Sequence, residues 1–330
     1  MVSAGDRWFS GISMTAGIII IVVLGAVALF LLYESWPAFV ASRKAIEENV
    51  SFANGQSFWQ FAGATMFGTI LSSIIALAIA VPFSIAIALF ISHYAPRKFA
   101  SALGYIIDLL AAIPSVVFGL WGMRSLEPAM RPIFEWFDSF FTPILTWLCK
   151  FPPLGYMANR FDWWPITPQL VHFSPPARNI LMGGLILAIM VLPIITSLCR
   201  EVFLQTPSLL EEAAMGLGAT RWEMIKMTVL PVGRSGIVSA SMLGLGRALG
   251  ETMALLMVLS AGTSVNFWIM SPGQHSTIAS QIALKFPEAQ SGLERQFLIG
   301  LGLLLFVLTF VVNFIARRIV AHYSVEGGKK

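Results

Sequence analysis

Cysteine and histidine are scarce in this sequence. Only two cysteines and four histidines occur among its 330 residues. Cys149 and Cys199 lie far apart in the chain, and the histidines are equally scattered. None of these residues stands in a spacing typical of metal ligands. The sequence therefore predicts neither a disulfide framework nor a metal site.

Charged residues are also few. They make up 12% of the chain, whereas 57% of the residues are hydrophobic and the mean hydropathy is +0.78. A soluble core of this length would not use so much apolar surface, so the chain is expected to lie in a bilayer. The net charge of +4 fits an inner-membrane protein with basic cytoplasmic edges, and it predicts no nucleic-acid partner.

Nucleotide-binding motifs are missing as well. The chain has no Walker sequence of the form G-x-x-x-x-G-K-[ST]. Gly244 and Gly246 form a G-x-G, but no strand precedes them and they lie in an apolar segment, which argues against a dinucleotide site. Gly246 and Gly250 have the spacing of close helix packing. We expect no cofactor in this chain, so any ATP would be bound by a partner subunit.

Long apolar segments dominate what is present. A helix that crosses the hydrocarbon core needs about 20 apolar residues. Six segments meet this length, at roughly 14–33, 64–92, 102–123, 179–198, 236–260 and 297–316. The first segment is expected to stay in the protein, because Glu34 to Pro37 offers no small-residue cleavage site. These segments predict an all-α integral membrane protein with six transmembrane helices.

The distribution of basic residues predicts the topology. Lys and Arg are denser in the loops that lie on the same side as the N-terminus, which places both termini and residues 200–234 in the cytoplasm. Residues 124–178 form an external excursion rich in Pro and Trp, with an interfacial helix expected near 132–149. This excursion could be an aromatic belt, a landing surface for an external partner, or both.

The expected domain organisation follows from this topology. Residues 1–60 hold the first helix and the first periplasmic loop. Residues 61–320 form the main transmembrane domain, which includes the external excursion and the cytoplasmic interval 200–234. Residues 321–330 form a cytoplasmic tail.

The cytoplasmic interval predicts a short helix. Either Thr206 caps it, with Pro207 at the first helical position, or Ser208 and Glu211 form a capping box. The adjacent Ala213 and Ala214 leave one helical face almost without side chains. Such a face suits insertion into a narrow cleft of another protein, although a solvated loop with two amphipathic turns has a similar pattern.

A turn and a second helix follow this short helix. Gly216 and Gly218 can adopt the left-handed conformation that ends helices. Thr220 and Glu223 form a second capping box, and Pro231 is expected to stop the second helix. A DNA-reading helix-turn-helix is excluded because the unit has no basic recognition face.

Inserting an ionisable residue at the middle of a transmembrane helix costs about 2.5–3.5 kcal/mol. Each such residue in an apolar segment therefore calls for a structural or functional explanation. Arg247 lies eleven residues into its predicted helix, roughly 16 Å deep at 1.5 Å per residue. Glu251 follows at i+4, so the two side chains could neutralise each other. Alternatively, Arg247 faces an axial pathway and offers its guanidinium to an oxyanion, with Glu251 holding it in place. Asp108 is predicted to be a second buried acid near this path.

Two sets of residues carry a family resemblance. Glu212-Ala213-Ala214, Gly218 and Leu230-Pro231 resemble the cytoplasmic "EAA" signature of ABC importer permeases, with Thr228 where isoleucine is usual. The stretches 109–122 and 242–254 are similar to those of C-type permease subunits of bacterial Pst phosphate importers. The similarity runs from about residue 60 to the end of the chain.

The resemblance implies a type I ABC importer permease fold. It also implies a homologous A-type permease partner, two copies of a cytoplasmic ATPase, and a periplasmic or lipid-anchored phosphate-binding protein. Arg247 and Glu251 would then belong to the translocation path. Asp108 is assigned to the same path because of its predicted depth in the third apolar segment, not because of the resemblance. The ATPase docking residues would be Glu211, Glu212, Ala213, Ala214 and Gly218.

Two other functions stay open beside an ATP-driven phosphate permease. Another oxyanion such as sulfate could be the cargo, since a guanidinium fork suits both anions. An intramembrane Arg and Glu would also suit a proton-coupled secondary anion transporter. An intramembrane enzyme is a distant third, because the apolar segments hold no nucleophile and base together.

Overall fold

A computed structural model describes residues 4–151, Met157 and residues 167–326. Within these residues all regular secondary structure is helical. The helices are α1 (Ala4–Val40), α2 (Arg43–Asn49), α3 (Phe58–Leu89), α4 (Arg97–Ala111), α5 (Ser115–Trp121), α6 (Glu127–Leu148), α7 (Ile180–Leu204), α8 (Ser208–Gly216), α9 (Arg221–Met224), α10 (Leu230–Leu249), α11 (Met253–Val258), α12 (Ile278–Lys285) and α13 (Gly292–Glu326).

In the described part of the chain, three π-helical turns extend these helices. They are Phe90–Tyr94 after α3, Gly122–Leu126 between α5 and α6, and Ile225–Val229 between α9 and α10. Because the last of these turns joins α9 directly to α10, Arg221–Leu249 forms one membrane-length helix. Pro231 therefore does not stop the second helix, and that prediction is wrong. Pro231 lies at the start of α10, where a missing N–H is tolerated.

Among the described residues, five helices are long and apolar enough to cross a membrane, and a sixth span exists if one bent pair counts as one. The bent pair is Lys98–Ala111 with Ser115–Leu148, at an angle of 90°. The sequence predicted a single segment at 102–123, and the break at residues 112–114 corrects that prediction. Pro114 causes it, because proline disfavours helical backbone at the preceding residue and cannot donate the next hydrogen bond.

The helix predicted near 132–149 is confirmed as α6. It is amphipathic, and Trp136 and Trp147 are exposed on its surface. Phe134 points the other way and packs against Phe173 with ring centroids 5.7 Å apart. Other tryptophans of the predicted excursion, Trp163 and Trp164, lie outside the described residues.

The chain divides into two compact units. The first comprises Met1–Ala62 and Lys285–Val307. Its core is an aromatic cluster in which Phe297 packs edge-to-face on Phe58 and Phe61 at 4.9 and 5.5 Å. The Glu294 carboxylate accepts a hydrogen bond from the Ser51 hydroxyl at 2.9 Å, which ties the two segments of this unit together.

The second unit comprises Gly63–Leu284 and Leu308–Lys330. Its centre is α7, the most buried of the membrane-length helices, which packs against α10. A Cβ at Gly244 would lie 2.6 and 2.7 Å from side-chain atoms of Val191 and Ile195, so glycine allows this close approach. A Cβ at Gly246 would meet nothing within 4 Å. The close packing predicted for Gly246 and Gly250 is therefore wrong, and Gly244 has that role.

Candidate functional site

A cleft of about 760 Å³ opens between α7, α10 and α13 in the second unit. Arg247 lies in its wall, together with other residues of α10 at helical spacing. The lining residues are Ile194, Ser239, Met242, Leu243, Gly246, Arg247, Asn313, Ala316 and Arg317. The cleft therefore combines an apolar wall with two guanidinium groups, an amide and a hydroxyl.

Arg247 is placed at the end of a helix rather than in its middle. It lies in the last turn of α10, which ends at Leu249. The last carbonyls of a helix have no intrahelical partner and carry a partial negative charge. A cation is therefore favoured there by about 0.3–1 kcal/mol, without any carboxylate. The helix end thus helps to stabilise Arg247 at this position.

Glu251 does not lie one turn further on the same helix. Gly250 ends α10, and Glu251 lies in the break before α11. Its side chain is buried, and Oε1 accepts a hydrogen bond from the Ala254 N–H at 3.1 Å. No ion pair joins it to Arg247 within the residues that the structure describes. The predicted i,i+4 pair is therefore wrong, because glycine weakens the helix and the carboxylate caps the next one.

Asp108 is exposed on α4, so the prediction of a buried acid is wrong. The 90° bend at residues 112–114 removes α4 from the straight span in which this residue was expected. No ion pair between Asp108 and Arg247 occurs in the described part of the chain. Its role in a translocation path stays a prediction.

Three polar residues of the cleft were missed by the sequence analysis: Ser239, Asn313 and Arg317. In the sequence analysis, Arg317 contributed only to the distribution of basic residues that predicts the topology. Asn313 did carry a signal, since it is an amide inside the apolar segment 297–316. The side-by-side placement of α10 and α13, which hydropathy does not encode, brings these residues together with Arg247.

The helix-turn-helix predicted in the interval 200–234 forms as α8 and α9. Gly218 has φ +86°, as expected for a left-handed turn residue, and the capping box of Thr220 and Glu223 is confirmed. Neither predicted cap of the first helix forms, because Pro207 occupies the cap position and no side chain bonds there. The two helices and the tight turn are otherwise as the capping residues indicated.

The exposed face of α8 differs from the predicted slim face. Ala214 is only 5% exposed and packs into the core of its own unit. Glu211 faces the π-helical turn that follows α3, with its Oε1 atom 3.4 Å from His93 Nε2. Glu212, Ala213 and Gly218 are exposed, and Leu217 beside them is 89% exposed. A docking surface here would therefore consist of Glu212, Ala213, Leu217 and Gly218, rather than Ala214.

This combination of membrane-length helices, a basic cleft between them and an exposed helical turn is that of a transporter subunit. Residues 80–325 match the family described as the binding-protein-dependent transport system inner membrane component. The chain belongs to this family, and so it is a transport permease subunit that crosses the inner membrane several times.

The chain is similar to curated phosphate permeases over most of their length. The phosphate transport system permease protein PstC 2 of Mycobacterium tuberculosis is 40% identical over 327 residues, which cover 98% of this chain and 93% of that protein. The permease PstC of Mesorhizobium japonicum is 35% identical over 328 residues, covering 98% and 92%.

The fold is shared with a solved ABC transporter structure. A chain of the bacterial alginate ABC transporter, in complex with its alginate-bound periplasmic protein, aligns over 96% of both chains with a TM-score of 0.50 and 17% identity. This alignment and the family match confirm the predicted type I ABC importer permease fold.

Proposed function

We propose that this chain is the membrane-spanning permease subunit of an ATP-driven importer for inorganic phosphate. The observation that carries the proposal is the cleft of Arg247, a basic site between membrane-length helices. The chain is similar over 98% of its length to a phosphate permease. A guanidinium binds a phosphate oxyanion through paired charge-assisted hydrogen bonds. In a low-dielectric wall such bonds lower the cost of moving the anion across the membrane.

The chain acts with partners in this proposal. It pairs with a homologous A-type permease, and two copies of a cytoplasmic ATPase dock on the α8 turn. A periplasmic or lipid-anchored binding protein delivers phosphate on the external side. ATP binding closes the ATPase dimer and moves α8, which opens the permease pair outward, and hydrolysis resets it. Both termini lie in the cytoplasm, and this chain binds no ATP itself.

The energy source separates this function from that of a proton-coupled anion carrier. Uptake of radiolabelled phosphate should stop when cellular ATP is depleted while the proton gradient is kept. It should continue when the gradient is collapsed and ATP is kept. The opposite pattern would contradict the proposal. Unlabelled sulfate in excess serves as the control for cargo, and it should leave phosphate uptake unchanged.

A further inference from the structure

The cleft beside Arg247 holds a second guanidinium that the proposed function does not yet use. Arg317 of α13 lines the same cleft, with Asn313 one turn earlier on that helix. Ser239 lies on the facing wall, eight residues before Arg247 and so about 12 Å from it along α10. The cleft therefore extends along α10 and presents polar groups from both helices.

The charge in this cleft is all of one sign. None of the described residues that line it is acidic, and the rest of the wall is apolar or glycine. Two cations with no opposing carboxylate favour an anion, and apolar walls strengthen that attraction by lowering the local dielectric. The cleft also has the volume of an ordinary small-molecule site, about 300–1,000 Å³.

The neutral polar groups of the cleft add hydrogen-bond acceptors. The Ser239 hydroxyl donates to the Ser235 carbonyl at 2.8 Å, so its oxygen keeps lone pairs for a further donor. The Asn313 side chain has a carbonyl oxygen as well as an NH₂ group. Monohydrogen phosphate carries an O–H that can donate to such acceptors, whereas the sulfate dianion has none. A site that bonds a ligand hydroxyl rejects the analogue that lacks it.

We propose that Arg317 is a second anion-binding residue of the permease, and that Ser239 and Asn313 favour a protonated oxyanion. This inference rests on the proposed function and deepens it, since it assigns the residues that distinguish phosphate from sulfate. Arg247 and Arg317 each contact the tetrahedral anion as it passes along the cleft. The two acceptors bind its hydroxyl.

The matched control for Arg317 is its neighbour Arg318. The Arg318 guanidinium carbon lies 5.2 Å from the centre of the Phe314 ring, and Arg318 is not among the lining residues of the cleft. Arg317→Gln and Arg318→Gln thus remove the same charge from adjacent positions of one helix. Any effect of net charge on folding or assembly is shared by both variants.

A cysteine in the cleft wall reports occupancy directly. Leu243 lines the cleft and is exposed, so Leu243→Cys in a Cys149→Ser background of the purified importer should react with a small neutral methanethiosulfonate. Inorganic phosphate should slow this reaction, with sodium chloride at equal ionic strength as the reference. Arg317→Gln should raise the phosphate concentration for half-protection about tenfold, and Arg318→Gln should leave it unchanged.

Each outcome bears on one part of the proposal. Equal shifts in both arginine variants, or no protection by phosphate in the parent, would overturn the second binding residue. Protection by sulfate as strong as that by phosphate would overturn the role of Ser239 and Asn313. Phosphate accumulation by the intact importer is measured in parallel. If the parent importer accumulates no phosphate, the proposed function is overturned. If it accumulates phosphate normally but phosphate does not slow labelling of Leu243→Cys, only the proposed binding site is overturned.

Discussion

The position of a single charge distinguishes a transport role for Arg247 from a structural one. Arg247 lies in the last turn of α10, and its guanidinium lines a cleft without acidic residues in the described part of the chain. Glu251 is engaged with the Ala254 N–H of the next helix. The two residues therefore act separately, Arg247 at the cleft and Glu251 as a cap that holds the break.

Neutralising Arg247 is expected to stop transport without unfolding the protein. Arg247→Gln removes a charge-assisted contact to the anion, so phosphate uptake should fall at least about tenfold while expression and ATPase association stay normal. The charge exchange Arg247→Glu with Glu251→Arg should also be inactive, because no ion pair exists to be restored. Near wild-type uptake by the exchanged protein would show that the two charges form only a structural pair.

A buried histidine gives the loop between α11 and α12 a pH dependence. His275 lies between α11 and α12, and its Nε2 donates to the Asn266 carbonyl at 2.7 Å. Nδ1 is buried, with no hydrogen-bond partner in the part of the chain that the structure describes. Burial lowers the pKa of His275 below its ordinary 6.5, and this effect outweighs the hydrogen bond to Asn266, which raises the pKa.

The sign of this effect predicts a loop that loosens in acid. With its native pKa depressed, His275 binds a proton in the unfolded loop before it does so in the folded one. The stabilisation is therefore complete above pH 6.5 and is lost as the pH falls through the window below it. Hydrogen–deuterium exchange of residues 259–277, corrected for the intrinsic pH effect, should rise in that window. His275→Gln should abolish the rise, and an unchanged rise in that variant would contradict the prediction.

At the scale of elements, unbroken apolar helices were predictable and breaks were not. The spans α3, α7 and α13 were predicted because each contains an apolar run long enough for a bilayer. The interruptions at residues 112–114 and 250–252 are set by Pro114 and Gly250, which change the direction of the chain without changing its hydropathy. The sequence predicted Arg247 at the cleft but not Arg317, because hydropathy does not encode the packing of α13 against α10.

The α8 helix offers two faces for a test of docking. Ala213 and Leu217 are exposed at i and i+4 on one side of α8, and Met215 is exposed about 200° further round the helix axis from Ala213. Ala213→Trp adds a bulky side chain to the Ala213 and Leu217 side of the surface proposed for docking, whereas Met215→Trp adds it away from that side. Ala214→Trp would be uninformative, because Ala214 is buried in the core of its own unit.

The two tryptophan variants should therefore differ. Ala213→Trp should abolish co-purification of the ATPase while the permease still inserts, and Met215→Trp should retain it. Gly218→Val should resemble Ala213→Trp, because φ +86° is strained for a β-branched residue. Membrane levels of each variant, measured by immunoblot, control for insertion. Normal ATPase association and uptake in Ala213→Trp would reduce α8 to an ordinary loop helix.

At the scale of the whole molecule, the orientation in the membrane determines whether the α8 turn and α6 can contact their proposed partners. The α8 turn can meet a cytoplasmic ATPase only if residues 200–234 lie inside, and α6 can meet a binding protein only if it lies outside. The basic residues of the loops predict this orientation. The helices alone do not fix it, because a bundle of apolar helices has the same packing in either direction.

Labelling of single cysteines in intact cells tests the orientation. Ser139 is exposed on α6 and Ala219 lies in the turn after α8, so each can carry a reporter cysteine in a Cys149→Ser background. The other native cysteine, Cys199, is buried. An impermeant thiol reagent should label Ser139→Cys in intact cells, and it should label Ala219→Cys only after the membrane is permeabilised. Labelling of Ala219→Cys alone in intact cells would reverse the topology, and would place the proposed ATPase surface on the wrong side of the membrane.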